Sequence, residues 1–273
     1  HSSLSDLWTA EPEMTGVKLL TVDAPAVIDT TIRAHAKAVR GFTVEPLEPA
    51  GLVSISPSQA KDAWTTGDKD GYEALIRNVL GRIEVRDGLA PIAPPAPAGL
   101  PEDATITDGA WGTLVHSWME HGGLTTGASI EKASNFLVRE YHIDDPALAA
   151  WLVNLSGQLE KAQPELVGAL RSPEVELYFE LPFAGVGGTT TKDGWFHSGR
   201  MDLLAKWPDG KVWVIDFKAG QRNAEKGKDL RKGAGLDEYI PQLEAYRRAL
   251  TAAGWNVEKV GLLYVRSGAW VCW

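Results

Sequence analysis

The stretch GRMDLLAKWPDGKVWVIDFKAGQ, residues 199–221, decides how the chain is read. Two strand-like runs flank Pro208-Asp209-Gly210-Lys211, a strong short hairpin signal. Successive strand side chains point to opposite faces, so Asp216 and Lys218 share one face, roughly 6–7 Å apart. Across the hairpin, Asp202 falls opposite Asp216 within a residue or so. Directly opposed side chains lie about 4.5–5.5 Å apart. The run VWVIDF is too apolar for a solvated strand, and an aspartate inside it needs a partner. Two carboxylates that close repel when partly buried, and a divalent cation between them would use both. Hard oxygen donors suit Mg2+ or Mn2+. Lys218 could then position a water or stabilise charge developing on a phosphate. The competing reading is a surface hairpin with charged faces.

The sequence around this hairpin supplies a frame. DGAWGTLVHSWMEHGG has helical spacing, with Trp111, Leu114, Val115 and Trp118 as its apolar stripe and a stop at Gly122-Gly123. ASIEKASNFLVREYH and PALAAWLVNLSGQLEKAQPEL read as further amphipathic helices, and EVELYFELPF as a strand. After the hairpin come a helix, LDEYIPQLEAYRRALTAAG, and two closing strands in KVGLLYVRSGAWVCW about a Ser-Gly turn. Helices, a strand meander, a helix and more strands favour an α/β fold with a central mixed sheet flanked by helices.

Upstream, PIAPPAPAGLP (residues 91–101) holds five prolines, which fix φ and remove donors. It is expected to be an extended, semi-rigid linker, 91–104, between an N-terminal extension (1–90) and the main domain (105–273). The extension reads as mainly helical, with a helix over residues 24–41 and a capped helix start in SPSQAKDAW. A chain that opens on His1 reads as a fragment or a processed chain, and its first residues lack the basic and apolar regions of a signal peptide. Apolar runs are too short to span a membrane. One cysteine, Cys272, excludes an internal disulfide framework, a zinc knuckle and a cysteine-ligated iron–sulfur cluster, and suits a reducing cytoplasm. No G-x-x-x-x-G-K-[ST] phosphate loop is present.

Net charge is −9, which argues against a protein that coats nucleic acid. RNAEKGKDLRK (residues 222–232) runs the other way, with five basic residues against two acidic. It reads as a solvated loop or as a local contact with a polyanion.

Gly199-Arg200-Met201-Asp202 followed by Asp216-Phe217-Lys218 resembles the signature of the PD-(D/E)xK nucleases. More narrowly, it is similar to the RecB/AddA-type exonuclease domains at the C-termini of bacterial helicase–nucleases. GTLVHSWME resembles that group's G-x-x-x-H helix, with His116 in the histidine position. ELYFELPF resembles the strand before the first aspartate, and QLEAYRRAL the Q-x-x-x-Y helix, with Gln242 and Tyr246. Ile55-Ser56-Pro57-Ser58 resembles the junction that opens such domains.

The resemblance implies a restriction-endonuclease-like core and a metal-dependent DNA exonuclease, in repair or end processing with a helicase region or subunit as partner. It implies Mg2+ (or Mn2+) bound by His116, Asp202, Asp216 and the Phe217 carbonyl, with Lys218 catalytic beside the two aspartates. Gln242 and Tyr246 would brace the site or touch the strand, and Arg222 opens a basic stretch suited to the substrate. Glu180 stays open, as a carboxylate at or near the ligand set or as a solvated strand residue. The motor that accompanies the family domain is missing from this sequence, and so are the four cysteines of some relatives. Two alternatives remain: a non-catalytic relative that binds DNA or docks a partner, and a tryptophan-rich ligand-binding module. The 11 Trp show no common spacing, so packing explains them better.

Overall fold

A computed structural model of the chain describes residues 54–55, 61–62, 65, 69–95, 108–140, 146–187, 195–219 and 235–273. In chain order the strands are β1 (Ser54–Ile55), β2 (Glu84–Arg86), β3 (Glu176–Gly187), β4 (Trp195–Lys206), β5 (Lys211–Lys218), β6 (Asn256–Tyr264) and β7 (Ala269–Cys272). The helices are α1 (Lys69–Leu80), α2 (Asp108–Trp118), α3 (Ala128–Glu140), α4 (Pro146–Ala162), α5 (Pro164–Leu170) and α6 (Ile240–Ala252). No helix among the described residues is long and apolar enough to cross a membrane.

The expected hairpin is present as β4 and β5, antiparallel, with Leu203 opposite Ile215 and Lys206 opposite Val212. Trp207 N–H donates to the Lys211 carbonyl to close the turn, and Gly210 supplies its left-handed φ of 81°. The described strands form one mixed sheet in the order β3-β4-β5-β6-β7-β2, with β1 beside the start of β4. β5 and β6 are parallel, and so are β1 and β4. The other pairs are antiparallel.

Period-two alternation divides the core into two layers. Leu203, Ala205, Ile215, Phe217, Leu263 and Val265 face the helices α2–α5, among them the buried stripe of Trp111, Leu114, Val115 and Trp118. Leu204, Val212, Val214, Leu262 and Tyr264 face Leu243, Tyr246 and Leu250 of α6 and Val79 of α1. Strands covered on both faces read as continuous apolar runs, which is why VWVI looked unlike a surface strand.

The expected helix over PALAAWLVNLSGQLEKAQPEL is broken at Gln163. Pro164 has no amide to donate and starts a new helix at its first turn. Residues 235–239 form turns ahead of α6, where Pro241 sits in the first turn. The helix of residues 108–123 reaches its expected stop at Gly122-Gly123, its last turn a π-turn, Met119–Gly123, with Gly122 at φ 132°.

The segment that leads into the proline stretch, residues 87–92, is docked. Leu89 N–H donates to the Ser267 carbonyl at 2.7 Å and Ile92 N–H to the Arg266 carbonyl at 3.0 Å. Arg266 Nε returns a bond to the Ile92 carbonyl at 3.0 Å. Gln158 donates to the Ala90 carbonyl at 2.6 Å, and Gln163 to those of Asp87 (3.2 Å) and Gly268 (2.8 Å). The amides of Leu89 and Ile92 donate outward, and the side chains of Gln158, Gln163 and Arg266 supply donors to the carbonyls of this strap. At Gly88 a Cβ would run into the backbone of Ser267 and Ala269. β1 and β2, from within the expected extension, therefore lie in the same sheet as the strands after the prolines. The expected helix over residues 24–41 and residues 96–104 of the expected linker lie outside the described residues.

Candidate active site

The β4–β5 ladder runs from Lys206–Val212 to Leu203–Ile215 and stops there. The next pair in register would be Asp202 and Asp216. Instead the Asp202 carboxylate occupies the parting of the strands and accepts the Phe217 amide at 2.7 Å.

On the other edge of β4, pairing skips one position. Phe179 faces Leu203 and Leu181 faces Met201, but Glu180 and Asp202 between them do not pair. Glu180 has φ 50°, the one positive φ at a non-glycine among the described residues. Such a conformation costs about 1–3 kcal/mol and persists where the surroundings impose it. Here it accompanies a gathering of donors: one ligand atom each of His116, Glu180 and Asp202 lies within 4.8 Å of the others.

His116 reaches this point from α2. Its Nε2 lies 3.1 Å from the Phe217 carbonyl, an acceptor, so Nε2 carries the proton. Its Nδ1 lies 3.5 Å from the Asp202 carboxylate. The imidazole ring also meets the Phe217 ring edge-on, at 5.9 Å between centroids.

Asp216, only 2% exposed, belongs to the adjoining face. Lys218 Nζ forms an ion pair with its Oδ2 at 2.5 Å, and Gln242 Nε2 donates to its Oδ1 at 2.8 Å. Gln242 also donates to the Tyr246 hydroxyl, which donates onward to the Arg200 carbonyl at 3.2 Å. The Lys218 ammonium lies over the Tyr239 ring, 4.3 Å from its centroid.

The charges are crowded, and the titrating groups register it. Burial pushes the Asp216 carboxyl up and the Asp202 charge adds to this, with Lys218 opposing. Glu180 is raised by burial and by Asp202. For His116, burial pulls downward, but contact with Asp202 and the charges of both aspartates outweigh it, and the imidazole is raised. Lys218 is likewise drawn down by burial and drawn up more strongly by Asp216, so it stays an ammonium.

Two raised carboxyls around a third carboxylate, joined by one imidazole nitrogen, form a set that a hard divalent cation fits. His116, Glu180, Asp202 and the Phe217 carbonyl come together. Asp216 lies outside that trio, held by Lys218 and Gln242. Tyr239 and Arg200, which forms a 3.4 Å ion pair with Glu180, were missed from sequence. Arg200 stands in the GRMD stretch but at a position given no role there, and Tyr239 stands in no motif. Arg222 and the rest of the basic stretch lie outside the described residues.

Residues 96–269 match the family model of the PD-(D/E)XK nuclease superfamily. No curated protein matches the chain. The mixed sheet flanked by helices is a restriction-endonuclease-like α/β fold.

Proposed function

Because the chain belongs to the PD-(D/E)XK nuclease superfamily, whose members hydrolyse phosphodiester bonds with divalent metal ions, we propose that it is a Mg2+- or Mn2+-dependent DNA exonuclease. The observation that carries this reading is the donor trio of His116, Glu180 and Asp202 beside the Asp216–Lys218 pair, at the point where β4 and β5 part.

His116 Nδ1, the two trio carboxylates and the Phe217 carbonyl are the donors that would hold a cation, with Asp216 recruited from the next face. When bound, that cation supplies charge neutralisation and activation of water. In the hydrolysis, a water oxygen bonds to phosphorus, the bond to one sugar oxygen breaks, and that oxygen takes a proton. Lys218, kept protonated by Asp216, acts as a fixed positive charge for the phosphoryl oxygens. A general base would need the neutral amine, and the carboxylate beside it disfavours that form. Gln242 and Tyr246 orient Asp216, and they do so by hydrogen bonds already made.

Exonuclease action, a role in repair and a helicase partner are supported by the ordered RecB/AddA-like motifs. Arg222 and the basic stretch beyond Lys218 are proposed to border the cleft and contact the strand.

The test is cleavage of end-labelled linear DNA and of closed circular DNA, with Mg2+, Mn2+ or EDTA. Metal-dependent loss of linear DNA with circles intact is expected. Cleavage of circles would overturn the exonuclease assignment. Metal-dependent binding without any cleavage would favour a non-catalytic DNA-binding relative.

A further inference from the structure

Tyr264 is the last residue of β6, as Lys218 is the last of β5, and the two are register partners in the parallel pair. Neighbouring strands lie about 4.7–4.9 Å apart, and residues in register share a face. That face is the α6 side, where Tyr264 packs with Leu262 and Tyr246. Ligands of open α/β sheets gather at the carboxyl ends of parallel strands, and this pair is such an end.

The Tyr264 side chain is buried, 1% exposed, and its hydroxyl has no hydrogen-bond partner among the described residues. Buried hydroxyls are nearly always partnered, so an orphan needs a reason. Its surroundings are those of the site: burial first, then the neighbouring charges of Tyr239, Asp216 and Glu238, hold its proton on. Lys218, one strand away, has its ammonium on Asp216 and over the Tyr239 ring. If Asp216 becomes a cation ligand, that carboxylate is shared and Lys218 loses much of its partner.

We infer that Tyr264 is a positioning residue for Lys218: its hydroxyl is the acceptor the ammonium takes up when Asp216 engages a cation. The inference rests on the metal role proposed for Asp216. It explains a buried hydroxyl held without a hydrogen-bond partner among the described residues close to the Lys218–Asp216 pair, since Lys218 turns to it when a cation shares Asp216. The hydroxyl is too enclosed to touch substrate itself, so it acts through Lys218.

The experiment compares the whole chain with Y264F, D216N, K218M and the double variant Y264F/K218M. Mn2+ binding is read by calorimetry, metal-free thermal stability by calorimetric melting, and cleavage by kcat and KM. Y264F is expected to melt no lower than the parent without metal, because it removes an unpartnered group. Its Mn2+ dissociation constant is expected to rise about 3- to 10-fold, the worth of one net hydrogen bond. In the K218M background the same change is expected to leave Mn2+ affinity unaltered, because no ammonium is left to receive. Its kcat should fall with KM unchanged.

Equal Mn2+ affinity in the parent and Y264F would overturn the inference, provided D216N weakens binding. So would an equal loss with and without Lys218, or a Y264F variant that melts lower without metal. Mn2+ binding indifferent to D216N would overturn the metal role of Asp216 and this inference with it.

Discussion

The Asp202 carboxylate accepts the Phe217 amide at 2.7 Å, in the place where a β4 carbonyl would otherwise have continued the ladder. A side chain thus replaces a backbone partner. The strands part without leaving a buried amide orphaned, and the gap lies between the two aspartates of the motif.

Replacing either aspartate should remove metal-dependent cleavage while the fold survives. D202N keeps an acceptor oxygen for the Phe217 amide and should melt near the parent temperature without metal, whereas D216N keeps an acceptor for Gln242 but leaves the buried Lys218 ammonium without its counter-ion and should melt lower. Activity on linear DNA should fall by about 100-fold or more. K218M should lose a similar factor. Undiminished cleavage by D202N would remove it from the site.

Without metal, the protein should be more stable at mildly acidic pH than at pH 8. His116, Glu180 and Asp216 all have folded values raised above their ordinary ones. A raised value binds protons more tightly in the folded state. Its contribution is full below the unfolded value and is lost as pH rises through the folded one. The window opens at the ordinary carboxylate values; Asp216 and Glu180 lose their contribution above that range, and His116 loses its own above the ordinary imidazole value. Saturating Mn2+ should reverse the trend, since the donors must then be deprotonated. Melting temperatures at pH 5.5 and 8, with and without Mn2+, check this. A metal-free protein that gains stability towards pH 8 would contradict it.

Gly261→Ala should destabilise the fold by more than about 2 kcal/mol. A Cβ there would collide with the Val271 carbonyl, the Trp270 ring and Cys272 across the β6–β7 pair. None of these can swing aside, because Trp270 and Cys272 are core residues. Urea unfolding of the variant gives the measurement, and an unchanged midpoint would show that the pair separates freely.

Neutralising Arg222, Lys226, Arg231 and Lys232 together should weaken oligonucleotide binding in Ca2+. It should also flatten the salt dependence by about 0.7 per lost single-strand contact. These residues follow Lys218 in a chain of net charge −9, and they are the proposed local source of attraction to phosphate. Identical slopes for parent and variant would assign them to a solvated loop.

The hairpin and its charged residues were legible because strand geometry has a fixed period. Once Pro208–Lys211 forms the turn, Asp216 and Lys218 share a face and Asp202 falls at the register position opposite Asp216, although the ladder ends one pair short of them. The buried stripe of α2 followed from helical spacing in the same way. Glu180 was legible only as an open choice between a carboxylate near the ligand set and a solvated strand residue. Its place depends on a positive φ inside a strand, which no local residue preference announces. Gln163 looked like mid-helix because Pro164 is compatible with the start of one helix as well as with the break of another. The docking of the strap, residues 87–92, was not legible because it uses Gln158, Gln163 and Arg266, which lie far away in sequence.

That strap separates the unit of descent from the unit of folding. The family match begins at residue 96, but β2 pairs with β7 and residues 87–92 occupy Gln158, Gln163 and Arg266. A polypeptide begun at residue 96 would keep every motif residue and still expose the outer edge of β7, an apolar strand of Ala269, Trp270, Val271 and Cys272. Bare apolar edges recruit other chains. Such a polypeptide should be recovered as soluble aggregate or inclusion bodies, whereas one begun at residue 51 should be recovered monodisperse by size-exclusion chromatography. What the ancestral motif requires for chemistry is thus shorter than what the molecule requires for solubility.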